Sequence, residues 1–349
     1  MVERKSLYDI SWKVDEPTYR ADSAYSYSTI SKFNREGFSK LESLFDRVES
    51  PSLLFGSLVD TLLTDGEDAF NERFFVATFP PINQDFIPVV NAIKEELSDK
   101  HKSLTTISDS DIVSYLDRFG IYQNNWKPET KANKFRDNTN GYYQMLLLCD
   151  GKELVSSDMA KDARECVEVL RTHEATNWYF RKDNNFDGIE RLYQLKFKGK
   201  YEGINLKCMA DLIIVNNNDK TIIPCDLKTS YKPEYQFYKS FIEWNYFIQA
   251  QLYSELLKQN IANDEYFKDF KILPYRFIVI NNKLRNPKIW EFTHNFAITD
   301  VQIGDIKLPN WRGIVKQLDY YLKYNPKSPI GIEETKLNSI EEWIQKECM

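Results

Sequence analysis

Two apolar runs joined by a short polar turn constrain this chain more than anything else in it: Met209-Ala-Asp-Leu-Ile-Ile-Val215 and Thr221-Ile-Ile-Pro-Cys-Asp-Leu-Lys-Thr229, with residues 216–220 between them. β-Branched residues bounded by Asn and Asp read as two strands of a hairpin. With 217–220 as the turn, Asn216 faces Thr221, Val215 faces Ile222, Ile213 faces Pro224 and Asp211 faces Asp226. Side chains alternate along a strand, so Asp226 and Lys228 leave one face and converge with Asp211 on a single patch. Pro224 cannot donate to a ladder, which predicts an edge or a bulge beside the patch and leaves room for a one-residue shift in the pairing.

Such a patch needs a counter-charge. Carboxylates opposed on paired strands destabilise a sheet. At about 4 Å they repel by about 4 kcal/mol for an effective dielectric of about 20. The flanking residues are apolar on both faces, which predicts a sheet covered on both sides. Carboxylates held there either shift their pKa upward or hold a cation, and a hard divalent ion with oxygen ligands, Mg²⁺ first, meets the need.

The rest of the chain excludes several alternatives. Five cysteines form no C-x-x-C pair and read as reduced thiols rather than a disulfide frame or zinc site. His101, His173 and His294 lack ligand spacing, so no histidine metal site is expected. No apolar run approaches the roughly 20 residues of a membrane span. The N-terminus has no secretory stretch, and a cytoplasmic protein is expected. The net charge of −6 gives nucleic-acid binding no support by itself, although a local basic groove stays open.

Along the chain, the first half reads as helical. Ser26 or Ser28 can cap a short helix after Tyr25, residues 53–63 are apolar nearly all round, and 87–99, 108–118 and 157–171 are amphipathic. Residues 127–140 turn polar and basic, and the stretch 131–136, with Lys131, Lys134 and Arg136, reads as a solvated loop. From about 186 the pattern becomes strand-like at 189–197, 204–215 and 221–229. A helix follows at 244–258, then strands at 275–281 and 288–293 and a helix at 311–324. The expected division is a helical lobe over 1–180 and an α/β core over 181–349.

Asp211, fourteen residues, then Asp226-Leu-Lys228 resembles the PD-(D/E)xK nuclease signature, in particular its RecB-like and RecE-like exonuclease branches. Gln249-Ala-Gln-Leu-Tyr253 is similar to the Q-x-x-x-Y motif that follows there. Residues 25–33 and Phe55-Gly-Ser-Leu-Val-Asp60 resemble the N-terminal helices, and Glu190 is similar to a glutamate ahead of the meander. D-x(n)-D-x-K is a weak signal alone; joined to Q-x-x-x-Y in order it is fairly specific. One departure stands out: the RecB-like pattern has a histidine where this chain has Asp60, which leaves metal preference open.

The resemblance implies a restriction-endonuclease-like fold, a mixed sheet flanked by helices with a helical N-terminal lobe. It implies a Mg²⁺-dependent DNA exonuclease, with Mn²⁺ a substitute, in recombination or phage DNA processing. Asp211, Asp226, the Leu227 carbonyl and Asp60 are its metal ligands, and Lys228, Gln249, Tyr253 and Glu190 its further catalytic groups. Lys232, Lys239, Lys283, Arg285 and Lys288 are candidates for a phosphate track. A single-strand annealing protein and a homo-oligomer are partners by analogy, in a bacterial cell or phage-infected host. Two rivals stay open: an endonuclease on the same core, and a catalytically idle nuclease fold that binds DNA or protein.

Overall fold

The hairpin forms in the expected register. The computed structural model describes residues 4–46, 48, 50–79, 82–121, 126–149, 151–181, 188–293 and 300–324. The core strands are β1 (Ile189–Tyr201), β2 (Ile204–Asn216), β3 (Thr221–Ser230), β4 (Lys271–Ile272), β5 (Tyr275–Asn281) and β6 (Lys288–Phe292). Asn216 pairs with Thr221, Val215 with Ile222 and Ile213 with Pro224. The turn is held by Asn216, whose Oδ1 accepts from the amides of Asn218 (3.0 Å) and Asp219 (3.1 Å). An Asn side chain bonding its own backbone two residues on is the physical reason Asn favours turns.

The sheet runs β1-β2-β3-β5-β6, with β4 against the start of β3. β1, β2 and β3 form an antiparallel meander, β3 and β5 are parallel, and β5 and β6 are antiparallel. Parallel neighbours need a crossover. The core helices are α1 (Glu16–Ala21), α2 (Tyr27–Glu36), α3 (Phe237–Glu243), α4 (Tyr246–Ile261) and α5 (Trp311–Tyr324), and α3 and α4 make that crossover. α4 is buried on nearly all sides, from Phe247 and Ile248 to Leu256 and Leu257, and it carries Gln249, Gln251 and Ser254 inside with it. That burial is expected of a helix laid across the middle of a sheet.

Pro224 lies on an interior strand rather than at an edge, at a bulge-like offset: between the pairs Ile222 with Ile272 and Cys225 with Arg276, two residues face three. Its position falls where the partners on its other side are interrupted, between the pairs of β3 with β4 at Ile222 and with β5 at Cys225. No ladder donor is called for at that gap, so the missing N–H costs nothing there.

Two compact units make up the chain: the described residues of 1–49, 173–281 and 286–349, which hold the sheet, and those of 50–172 and 282–285. The division thus differs from a boundary at 180, because residues 1–49 group with the sheet. Tyr25 shows why: its amide donates to the Asn205 carbonyl and its carbonyl accepts from Lys207, each at 3.0 Å, which ties the segment to β2.

The second unit contains the helices Pro51–Thr64, Ile87–Leu97, Asp109–Arg118, Pro128–Leu148 and Ser157–Thr172, and a parallel pair of short strands, Phe74–Ala77 and Glu153–Ser156. The basic stretch expected as a loop belongs to Pro128–Leu148. Ala132, Phe135, Thr139, Tyr143 and Leu146 recur at helical spacing and are buried, which outweighs the polarity between them. Lys131 is buried and pairs with Asp117 at 3.1 Å, and Arg136 donates to the Leu104 and Ile107 carbonyls.

The four described cysteines, Cys149, Cys166, Cys208 and Cys225, are free and buried. Burial pushes the thiols up, that of Cys166 to about 11. Cys348 and His294 lie outside the described residues. Among the described residues no helix is long and apolar enough to cross a membrane.

Candidate active site

β2 and β3 separate just before the two aspartates. Their ladder ends at Leu212 with Cys225, and from Cys225 to Ser230 β3 is laddered to β5. Further along β2, Tyr25 occupies the side that β3 has left. Between those two attachments the hairpin forks. The Asp211 carboxylate crosses the fork, its Oδ2 accepting the Leu227 N–H at 3.1 Å. The face-to-face pairing of Asp211 with Asp226 expected from the hairpin is therefore replaced by a side-chain-to-backbone bond. Opposed like charges disfavour a closed ladder at that step, and opening the strands relieves them.

Asp226 is 1% exposed. Its Oδ1 accepts from Gln249 Nε2, and its Oδ2 pairs with Lys228 Nζ at 2.7 Å. The ammonium also rests over the Tyr246 ring, 4.5 Å from the centroid. Burial works against the Lys228 charge, but Asp226, then Tyr246, Asp211 and Tyr27, hold its pKa above the usual lysine value. Lys228 is thus a fixed cation that senses both aspartates.

Burial raises the phenols around the site; the Asp226 and Asp211 charges add to the rise at Tyr253 and Tyr275, whereas the Lys228 charge opposes it at Tyr27. All three stay neutral at ordinary pH. Tyr253 and Tyr275 pack edge-on with ring centroids 6.4 Å apart. Gln249 and Tyr253, four apart, share one face of α4, where Gln249 bonds Asp226 and Tyr253 packs on Tyr275. Tyr27, Tyr246 and Tyr275 were not read from the sequence. Tyr246 could have been, since it stands three residues before Gln249 on one helical face. Tyr275 reaches the site only through the parallel pairing of β3 with β5, which no local pattern announces.

Glu190 requires a correction. It pairs with Val215 at the turn end of the sheet, four residues from Asp211 and so about 13 Å along the strand. There it accepts from Asn217 Nδ2 at 2.9 Å and pairs with Arg4 at 3.2 Å. The β1 residue level with Asp211 is Gln194, which has φ of +53° and interrupts the ladder between Tyr193 and Leu195. Asp60 belongs to the second unit, in the helix Pro51–Thr64, where its carbonyl accepts from Thr64 Oγ1 at 2.9 Å.

Several expected phosphate contacts are committed elsewhere. Lys283 and Arg285 pair with Asp162 in the second unit, and Lys232 with Glu243. Lys288 pairs across β5 with Val279, which in turn pairs with Lys228. The two lysines therefore share a face, two strands or about 10 Å apart.

The donor set fits a hard divalent ion. Among the described residues no three acidic, cysteine or histidine side chains gather into a closed metal cage. Mg²⁺ does not require one, since it is commonly held by one or two carboxylates with water and substrate phosphate completing the shell. Asp211 and Asp226 supply two carboxylates, Asp211 accepting the amide of Leu227, the residue next to Asp226. Gln249 Oε1 is a further buried oxygen with no hydrogen-bond partner, so the site has unused acceptor capacity. Gln249→Ala frees the Asp226 carboxylate to rotate. Loss of an orienting partner of this kind lowers activity about 10–100-fold, and the loss is expected in kcat rather than KM.

No curated protein matches the chain. Among solved structures, one described as a "Putative exonuclease" from Eubacterium rectale aligns with a TM-score of 0.43 and 14% identity, over 89% of this chain and 85% of that one. A likeness so slight carries no argument. A family model described as a PDDEXK-like domain of unknown function matches residues 23–273, a span that takes in the forked hairpin and the whole of α4. With most of its length inside that match, the chain belongs to the PDDEXK-like family and so to the PD-(D/E)xK nuclease superfamily.

Proposed function

We propose that the protein is a Mg²⁺-dependent deoxyribonuclease, Mn²⁺ substituting, and an exonuclease of the RecE-like recombination type. The observation that supports this reading is the fork itself: Asp211 accepts the amide of Leu227, next in the chain to Asp226, whose carboxylate pairs with Lys228. Asp211, Asp226 and the Leu227 carbonyl would hold the ion. When bound, it would polarise the phosphoryl oxygen and lower the pKa of a water.

The chain's own groups then have distinct tasks. Lys228 neutralises charge that builds on the phosphate, in surroundings whose buried phenols keep the local dielectric low. Gln249 holds Asp226 in place. Lys288 and Lys239 offer phosphate contacts beyond the site. The exonuclease assignment, a recombination or phage setting, an annealing-protein partner and a homo-oligomer rest on the family resemblance.

Digestion of end-labelled linear duplex beside a covalently closed circle tests the reading. The expected result is Mg²⁺-dependent loss of the linear DNA, abolished by EDTA, with the circle intact. Cleavage of the circle would assign an endonuclease. DNA binding with no hydrolysis under either metal would assign the idle module.

A further inference from the structure

We propose that the segment leading from the active-site strand into α4 is a stacking platform for unpaired bases, so that the substrate strand reaches the site single-stranded. The choice of substrate rests on the nuclease reading above; the binding surface does not.

Residues 231–244 follow directly on β3. They expose four large rings: Tyr231 (53%), Tyr235 (60%), Tyr238 (52%) and Trp244 (42%). Tyr235 and Tyr238 stand three apart on consecutive helical turns and so share a face. The backbone beneath them is anchored. Phe237 is buried and stacks on Tyr246 with centroids 5.7 Å apart and planes 14° apart. The buried Glu234 carboxylate accepts the amides of Asn281 (3.0 Å) and Asn286 (2.9 Å). At the far end the Trp244 carbonyl accepts from Tyr27 (2.6 Å) and Ser31 (2.8 Å), and Asn245 turns the chain with φ of +56°. These rings face water from a fixed support.

Both ends of the platform join the site. Tyr231 follows Lys228 by three residues, and Tyr246, two residues past Trp244, carries the Lys228 ammonium over its ring. Two cations flank the rings with no carboxylate partner among the described residues. Arg35 lies over Trp244 at 4.8 Å and donates to Ser31 Oγ, and Lys239 reaches Gln236 Oε1 at 3.5 Å. Exposed flat rings interleaved with unneutralised cations match an unpaired strand, which offers base faces and phosphates together. A duplex hides its base faces within its own stack and cannot use the rings.

Anisotropy of a labelled oligothymidylate about 15 nucleotides long, beside a duplex of equal length, tests this with the full chain in EDTA. The wild type is expected to bind the single strand more tightly. Tyr235→Ala, Tyr238→Ala and Trp244→Ala, made separately, are each expected to weaken it about 5- to 150-fold, with little change for the duplex. Phenylalanine at 235 and 238 keeps the affinity. Equal single-strand affinity in the alanine variants overturns the platform, and so does an equal loss for single strand and duplex. If those variants bind normally while the wild type hydrolyses DNA with Mg²⁺, the platform falls and the nuclease reading stands. If they lose the single strand while the wild type never hydrolyses, the reverse holds.

Discussion

Lys228→Ala is expected to slow phosphodiester hydrolysis about 10²–10³-fold, the usual loss when one fixed charge aimed at the reacting group is removed. The loss should appear in kcat, because the lysine acts on charge that develops during the reaction. It should also separate from stability in an informative way. Removing one partner of a fully buried ion pair costs about 3–5 kcal/mol. The Lys228 side chain keeps 20% of its surface exposed, so screening lowers that figure. Gln249 still holds Asp226 in the variant. A divalent ion that binds only the folded chain restores stability by mass action. Thermal melts with and without Mg²⁺ should therefore show the variant recovering its fold while its activity stays lost.

The lysine also shapes the expected pH profile. Its folded pKa lies above the ordinary value, because Asp226 outweighs the effect of burial. Its contribution is therefore complete below the unfolded value of about 10.4 and fades only as pH rises past the folded one. A rate measured from neutral pH to about pH 10 should show no alkaline decline that Lys228→Ala removes.

Phe277→Ala is expected to destabilise the sheet-bearing unit by about 3–5 kcal/mol. Phe277 is 1% exposed and pairs with Asp226 across β3 and β5. Its ring lies 5.4 Å from Phe237, 5.7 Å from Phe241, 5.8 Å from Tyr246 and 5.0 Å from Tyr275, centroid to centroid. Truncation leaves a cavity ringed by stiff aromatics that collapse poorly, which places the cost at the upper end of its class. Because Tyr246 carries the Lys228 ammonium, the same change loosens the site. A fall in the urea midpoint with an unchanged slope, together with reduced kcat, is the expected pair of results. Phe277→Leu should cost less on both counts.

The strands and the site differ in how much of them the sequence discloses. The Asn216 turn made the β2–β3 register legible to Pro224, because turn geometry fixes the register of a hairpin and side-chain alternation then sets the faces. The convergence of Asp226 with Lys228 follows from that same alternation. The fork at Asp211 does not, since it depends on β3 exchanging one partner for another, and β5 arrives only after a crossover of more than forty residues. Glu190 was misplaced because order along the chain says nothing of level across a sheet. The helix Pro128–Leu148 was obscured by polar residues that pair locally, Lys131 with Asp117 and Arg136 with Asp109.

Titration of Mn²⁺ into the DNA-free protein, read by the loss of the free-ion resonance, tests the central claim most directly. The wild type should bind Mn²⁺ at a site that Mg²⁺ competes for, and Asp211→Asn and Asp226→Asn should each weaken it by tenfold or more, on the order expected when a charged oxygen donor is lost. Binding of equal strength in both variants would show that the two aspartates do not hold the ion, and the account of this site would fail.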